Sequence, residues 1–271
     1  MALITISRKM GSGAEQIARM VADGLKLELY DDAKLQEEAV KQGLSTEELK
    51  GFDEKAPGFF DRILNQKPEA YLDLMESVVY KVAEKGEGVI MGHGGQMLLR
   101  DFGCALHVMV LASEKTRVQN VMDQQGLSRE AAEKLVHKSD NEQRAFLRFA
   151  FHMDREDEAL YDFVVNTEKL SPESAAKLVI EAANLQEINT CSLTALDAME
   201  RLSQLKKVQA ALLKNNINLT TLYVDVPEKG IVEIRGLAYT LSDRDRIIKV
   251  AKGVSGISDV KPEIVVKAAA Y

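Results

Sequence analysis

The residues in this sequence best placed to do chemistry sit between an apolar run, Leu3–Ile6, and an amphipathic stretch, Ala14–Leu25, in "LITISRKMGSGAEQIARMVADGL". Glycines that leave a strand and open a helix let backbone N–H groups approach a phosphate closely, with the positive end of the helix dipole behind them. In the common form of such a loop, G-x-x-x-x-G-K-[ST], a lysine bridges the outer phosphates and a hydroxyl holds a metal ion. With Gly13 as the last glycine, Arg8 falls at the first glycine, Ala14 at the lysine and Glu15 at the hydroxyl. Glu15 suits a helix N-terminus, yet it repels a triphosphate unless a cation intervenes. Arg8 and Lys9 are the cations inside the loop, and Ser12 is the nearest hydroxyl for a metal ion. The same residues also fit a plain strand–helix turn that uses Gly11 and Gly13 to bend tightly.

The elements that must position this loop are legible as alternation. Strand-like runs occur at Leu3–Ser7, Leu27–Tyr30, Val89–Gly92, Leu106–Leu111 and Phe163–Asn166. Helical patterns separate them at Ala14–Leu25, Glu69–Glu84, Glu114–Asp123, Arg129–Val136 and Pro172–Ala183. This predicts an α/β domain, a parallel sheet with helices on both faces. The segment Asp31–Pro68 is helical in pattern but interrupted by Gly43, Gly51, Pro57 and Gly58, and reads as an insertion of short helices. From Leu193 the order becomes helix (Leu193–Lys214), two strands (Leu222–Val226, Ile231–Leu237) joined by "PEKG", helix (Ser242–Lys252) and strand (Glu263–Lys267). That is a small α+β domain of order α-β-β-α-β. Net charge shifts with the pattern, from −10 before Thr190 to +3 after it. The two observations divide the chain into domains 1–187 and 188–271.

At 271 residues the chain has room for two cores, and 46% hydrophobic with 28% charged residues fits a soluble globular protein. A net charge of −7 argues against non-specific nucleic-acid binding. The longest apolar runs are too short to span a bilayer, and the first residues show no secretory pattern. Cys104 and Cys191 lack metal-ligand spacing and read as reduced, buried or incidental thiols of a cytoplasmic protein.

The segments "ITISRKMGSG", "LELYDDAKL", "VIMGHGG", "LHVMVLASEKTRV", "VMDQQGLSREAAEKL", "NEQRAF" and "LYDFVVNTEKLS" follow one another in this order. Together, over about residues 2–185, they resemble the cytidylate kinase-like family of P-loop proteins. The resemblance implies a five-stranded parallel sheet, ATP with Mg²⁺ at the glycine loop, and a nucleoside monophosphate such as CMP beneath the insertion. It implies an arginine-bearing lid from "NEQRAFLRFAFHMDRED". Phosphate contacts would come from Arg8, Gly11, Ser12, Gly13, Ala14 and His93, with Lys9, Arg117, Arg144 and Arg148 as catalytic cations and Ser12 as a metal contact. Asp31 is the acidic candidate for acceptor or metal contacts, and equally the N-cap of the next helix.

Family members commonly read "SREFGSGGRE" at the loop, so the missing lysine is usual there. This chain departs further. Glu15 replaces an arginine, His93 stands where "GRGG" has arginine, Asn120 replaces a second basic residue, and Asn141 begins the lid's usual D-x-x-R. Phosphoryl transfer is mostly positioning and charge stabilisation, and one lost donor costs ~10²–10³ in rate.

The C-terminal stretch "VDVPEKGIVEIRGLAYTLSDRDRIIKVAKGVSGISDVKPEIVV" resembles a BON domain: Gly230, Val232, Ile234 and Gly236 match its hairpin, and Val254, Gly256, Ile257 and Val260 its later turn. This implies a lipid, polymer or protein partner, although turn and core account for the same residues. Two functions stand open: ATP-dependent phosphoryl transfer to a nucleoside monophosphate, or a catalytically degenerate nucleotide-binding or scaffold protein whose BON-like module engages a partner.

Overall fold

The computed structural model describes residues 2–42, 68–153, 157–189 and 192–266. Most of the interrupted insertion, including Gly43, Gly51, Pro57 and Gly58, lies outside the described residues. The described chain forms two compact units. One gathers the residues up to Glu37 and from Lys85 to Ser192. The other takes those from Glu38 to Glu84 together with those from Leu193 onward.

The first unit is built on a five-stranded sheet of order β2-β3-β1-β4-β5, with every pairing parallel. Its strands are β1 (Leu3–Arg8), β2 (Leu29–Tyr30), β3 (Gly88–Met91), β4 (Ala105–Leu111) and β5 (Phe163–Asn166). All six residues of β1 are buried, which is why the strand reads as an apolar run without alternation. Helix α1 (Ala14–Leu25) buries Ala14, Ile17, Ala18, Val21 and Ala22, one stripe at helical spacing. The helix following β2 is α2 (Asp32–Lys41), and the helix of the second unit that precedes β3 is α3 (Pro68–Ala83). A short helix, α4 (Gly95–Leu98), follows β3.

Two helices then follow β4. Ser113 caps α5 (Glu114–Gln125) by accepting from the Thr116 N–H, and Ser128 caps α6 (Arg129–Phe151) by accepting from that of Ala131. Helix α6 runs fifteen residues past the expected end at Val136, stopping only at the left-handed His152. After β5 come α7 (Pro172–Ala183), with Ser171 as its cap, and the short α8 (Gln186–Asn189). One apolar core joins α1 and α7 to β1, β3, β4 and β5.

His107 on β4 is 5% exposed. Its Nδ1 accepts from the Thr5 hydroxyl at 2.7 Å, and its Nε2–H donates to the Leu99 carbonyl at 3.2 Å. Burial holds its pKa below the ordinary histidine value, against the attraction of Asp162 and the Leu99 carbonyl. Cys104 is 4% exposed and disulfide-bonded. This corrects the expectation of a reduced thiol; spacing in sequence says nothing of whether two sulfurs meet. Cys191 lies outside the described residues.

The second unit holds α3, α9 (Leu193–Lys214), α10 (Leu241–Lys252) and a three-stranded sheet of order β6-β7-β8. Strands β6 (Leu222–Glu228) and β7 (Ile231–Ala238) form the expected antiparallel hairpin, and β8 (Asp259–Val266) lies parallel to β7. β8 begins four residues before the expected Glu263. Polar residues and Pro262 mask it in sequence, and an edge strand tolerates both. Its core joins Val208 and Leu212 of α9 to Val224, Val232, Ile234, Ile247 and Val260. Helices α3 and α9 pack together, and the Ser203 hydroxyl donates to the Ser77 carbonyl at 2.8 Å. Lys206 reaches Asp73 at 2.9 Å and Glu76 at 2.8 Å. Burial pushes the Asp73 carboxyl up to about 6, against the pull of Lys206. Burial also opposes the Lys206 charge, but the two carboxylates outweigh it and hold that pKa above the ordinary lysine value.

Among the described residues no helix is long and apolar enough to cross a membrane.

Candidate functional site

The loop between β1 and α1 is held open from outside. Gly11 has φ +80°, and a Cβ there would lie 2.5 Å from the Arg117 carbonyl oxygen, so only glycine fits. Gly13 precedes α1 in the left-handed region at φ 83° and caps the helix with no side chain. Every carbonyl from Arg8 to Gly13 accepts a hydrogen bond. The Arg8 carbonyl takes Gln143 Nε2 at 2.8 Å, that of Lys9 the Ser12 N–H at 3.0 Å, and that of Met10 an Arg117 guanidinium nitrogen at 3.3 Å. The Gly11 carbonyl takes Asn120 Nδ2 at 2.8 Å, that of Ser12 the Thr167 hydroxyl at 2.9 Å, and that of Gly13 the Ile17 N–H at 3.2 Å. The N–H groups of Gly11, Gly13 and Ala14 make no hydrogen bond among the described residues.

The loop borders a cavity of about 680 Å³. Arg8, Met10, Gly11, Gly13 and Glu15 line it on one side. Gly92, His93 and Gly94 after β3 form a second wall, and Glu142, Gln143 and Phe146 of α6 a third. The volume suits a small organic ligand. Glu15 pairs with Arg8, Oε1 to Nε at 3.2 Å, so its carboxylate is turned to the loop's own cation. His93 is 1% exposed and left-handed at φ 53°. Its Nε2 lies 2.8 Å from Asp32 Oδ1, which ties the turn to the first residue of α2.

The structure brings Arg8, Gly11, Gly13 and His93 of the sequence-predicted residues together around the cavity. Lys9, Ser12 and Ala14 belong to the loop without lining it. Ser12 is 1% exposed, and its hydroxyl has no partner among the described residues. Arg117 is 6% exposed and forks onto Asp140 at 3.0 and 2.8 Å. Arg144 and Arg148 are exposed on α6 and do not line the cavity; Arg144 bonds Asn141 Oδ1 at 2.7 Å. Asp31 accepts from the Lys34 N–H at 3.1 Å as the cap of α2.

Sequence reading missed Asp32, Gln143 and Thr167. The helical spacing of Arg117, Asn120 and Gln124, and of Asp140, Gln143 and Leu147, was the available signal that each helix presents one face inward. Among the described residues no group of three His, Cys, Asp or Glu side chains could hold a metal ion.

A parallel sheet of this order, with a glycine loop leaving its central strand, is a kinase-type nucleotide-binding fold. Residues 3–169 match the model of the cytidylate kinase-like family, and the chain belongs to that family. Residues 204–268 match the BON domain. Relatives include a cytidylate kinase of Sulfurisphaera tokodaii, 25% identical over 65% of this chain and 92% of that protein. Another is a cytidylate kinase of Pyrococcus horikoshii, 26% identical over 65% of this chain and 85% of that one. A solved structure, an uncharacterized protein of Eubacterium ventriosum, superposes with a TM-score of 0.53 at 25% identity, covering 68% of this chain and 98% of its own. The family match includes α3, which packs with the C-terminal residues in the second unit.

Proposed function

We propose that this protein is an ATP-dependent nucleoside monophosphate kinase whose acceptor is a cytidylate-type monophosphate. The observation that carries this reading is the cavity where Gly11 and Gly13, their N–H groups without partners among the described residues, face the His93 turn. Peptide N–H groups at a helix start bind phosphate without a lysine, and names of relatives support cytidylate as acceptor. The donor phosphates belong at the loop and the acceptor phosphate at the His93 turn. There the Asp32 contact fixes the imidazole ring. Lys9, Arg144 and Arg148 do not line the cavity, so their part in charge stabilisation requires that they turn toward a bound triphosphate.

The residues fit Mg²⁺ only in the nucleotide's company. The Ser12 hydroxyl, buried outside the cavity lining and without a partner among the described residues, is the loop hydroxyl that would turn toward the ion, whose chemistry there would be to neutralise phosphate charge.

In this reading residues 1–187 carry the transferase and 188–271 a BON-like module for a protein, lipid or polymer partner. Thiol counting on the unfolded, unreduced chain tests the compartment: two free thiols fit a reducing one, none fits the disulfide at Cys104.

A coupled assay of ADP release across CMP, dCMP, UMP, AMP and GMP tests the activity. Turnover fastest with a cytidylate is the expected result. Binding of ATP without product from any acceptor contradicts it.

A further inference from the structure

We infer that Thr167 is a positioning residue of the phosphate grip: its hydroxyl turns the Ser12–Gly13 peptide so that the Gly13 N–H points toward the anion. The inference rests on the phosphate reading of the loop given above. In a trans peptide the C=O of one residue and the N–H of the next point in opposite directions, and no cis peptide occurs among the described residues. A donor that captures one carbonyl therefore aims the following N–H the other way.

Applied along the loop, this sorts the contacts. Gln143 holds the Arg8 carbonyl, and the next N–H, of Lys9, goes to the Val110 carbonyl at 3.3 Å. Asn120 holds the Gly11 carbonyl, and the next N–H, of Ser12, goes back to the Lys9 carbonyl. Those two peptides are closed within the protein. Arg117 holds the Met10 carbonyl and Thr167 that of Ser12, and the N–H groups they aim, of Gly11 and Gly13, find no partner among the described residues. Both glycines line the cavity.

Thr167 makes the cleaner case. It follows β5, does not line the cavity, and is half-buried 155 residues away in sequence from the carbonyl it holds. The Leu111 carbonyl, 3.3 Å from the same hydroxyl, already accepts the Thr167 N–H at 2.9 Å, so the single hydroxyl proton goes to the nearer Ser12 carbonyl. Arg117 acts likewise on Gly11. Its two terminal guanidinium nitrogens go to Asp140 and the Met10 carbonyl, so it orients the loop from outside the cavity lining. A loop without the usual lysine depends more heavily on amides held in place beforehand, since preorganised donors need no rearrangement when charge arrives.

The test titrates inorganic tripolyphosphate into the full chain by calorimetry, for wild type, Thr167→Val and Thr167→Ser. Valine keeps the shape and removes the donor; serine keeps the donor. The inference predicts binding weakened about tenfold or more by valine, and within about threefold of wild type for serine. The unliganded melting temperatures of the two variants should lie close together. Should the valine variant not fold, Thr167→Ala carries the same comparison, because it also removes the donor to the Ser12 carbonyl. Equal affinity in wild type and variant overturns the inference and leaves the proposed function standing. No binding by wild type overturns both.

Discussion

The glycine loop and the C-terminal sheet differ in how they account for their polar groups. In the second unit the contacts close on themselves. The buried Gln204 accepts from the Gly230 N–H at 2.8 Å, and Lys206 lies between two carboxylates. On the sheet's outer face Arg235 bridges Glu233 at 3.0 Å and Glu263 at 2.9 Å across neighbouring strands. In the loop every carbonyl from Arg8 to Gly13 is satisfied, while among the described residues the N–H groups of Gly11, Gly13 and Ala14 are not. Backbone groups shut away from water are nearly always paired; Gly11 and Gly13 are half-buried and line the cavity, which suits the phosphate site proposed above. A glycine-rich turn alone does not point to such a site, since both units have them.

Equivalent lesions in the two units should therefore have different consequences. The largest effect is expected from Gly11→Ala, where the Cβ meets the Arg117 carbonyl at 2.5 Å and φ is +80°. It should abolish tripolyphosphate binding. Gly236→Ala on β7 brings a comparable clash with the Thr221 carbonyl at φ +136°. It should lower the melting temperature and leave loop binding in the surviving folded fraction intact. Equal loss of binding in both would erase the distinction.

Lys206→Met comes next. It strands Asp73 and Glu76 with side chains only 13% and 12% exposed. Denaturant unfolding should show a loss approaching the ~3–5 kcal/mol typical of a broken buried pair, with ATP affinity unchanged.

The two units should also respond to acid with opposite sign. His107 has a folded pKa below its unfolded value, so the unfolded state binds the proton first. Its contribution is intact above about pH 6.5 and is lost as pH falls below that value. Asp73 has a folded pKa of about 6 against an ordinary aspartate value of 3.8, so the folded state binds the proton first. Its penalty is present at neutral pH and is relieved as pH falls through 6 toward 4. Between pH 7 and 5, His107→Gln should flatten a fall in stability and Asp73→Asn should flatten a rise. The smallest effect belongs to Arg235→Ala on the exposed ladder, within about 1 kcal/mol and reduced further by salt.

Much of this architecture could be read from sequence because buried parallel strands and amphipathic helices carry strong patterns: α1, α7, α9 and β5 fall at the expected residues. Helix α6 was read short because after Val136 its residues turn polar, "HKSDNEQR", although its cavity-facing side continues through Phe146 and Leu147. The sequence pattern starts β8 late for the complementary reason, an exposed edge with little apolar signal. At the site the glycines and Arg8 were legible locally. Arg117 and Asn120 stand out in the sequence only as a cation and as a replaced basic residue, and Gln143 and Thr167 do not stand out, because all four reach the loop from more than a hundred residues away. Helical spacing marks the inward face of each helix but not the carbonyl each side chain holds.

The most direct measurement of the central claim is a two-dimensional amide NMR titration of the full chain with tripolyphosphate. The Gly11, Gly13 and Ala14 resonances should move together and saturate, while Gly230 and Gly236 stay fixed. Saturation elsewhere with those three unmoved, or no movement at all, would contradict it.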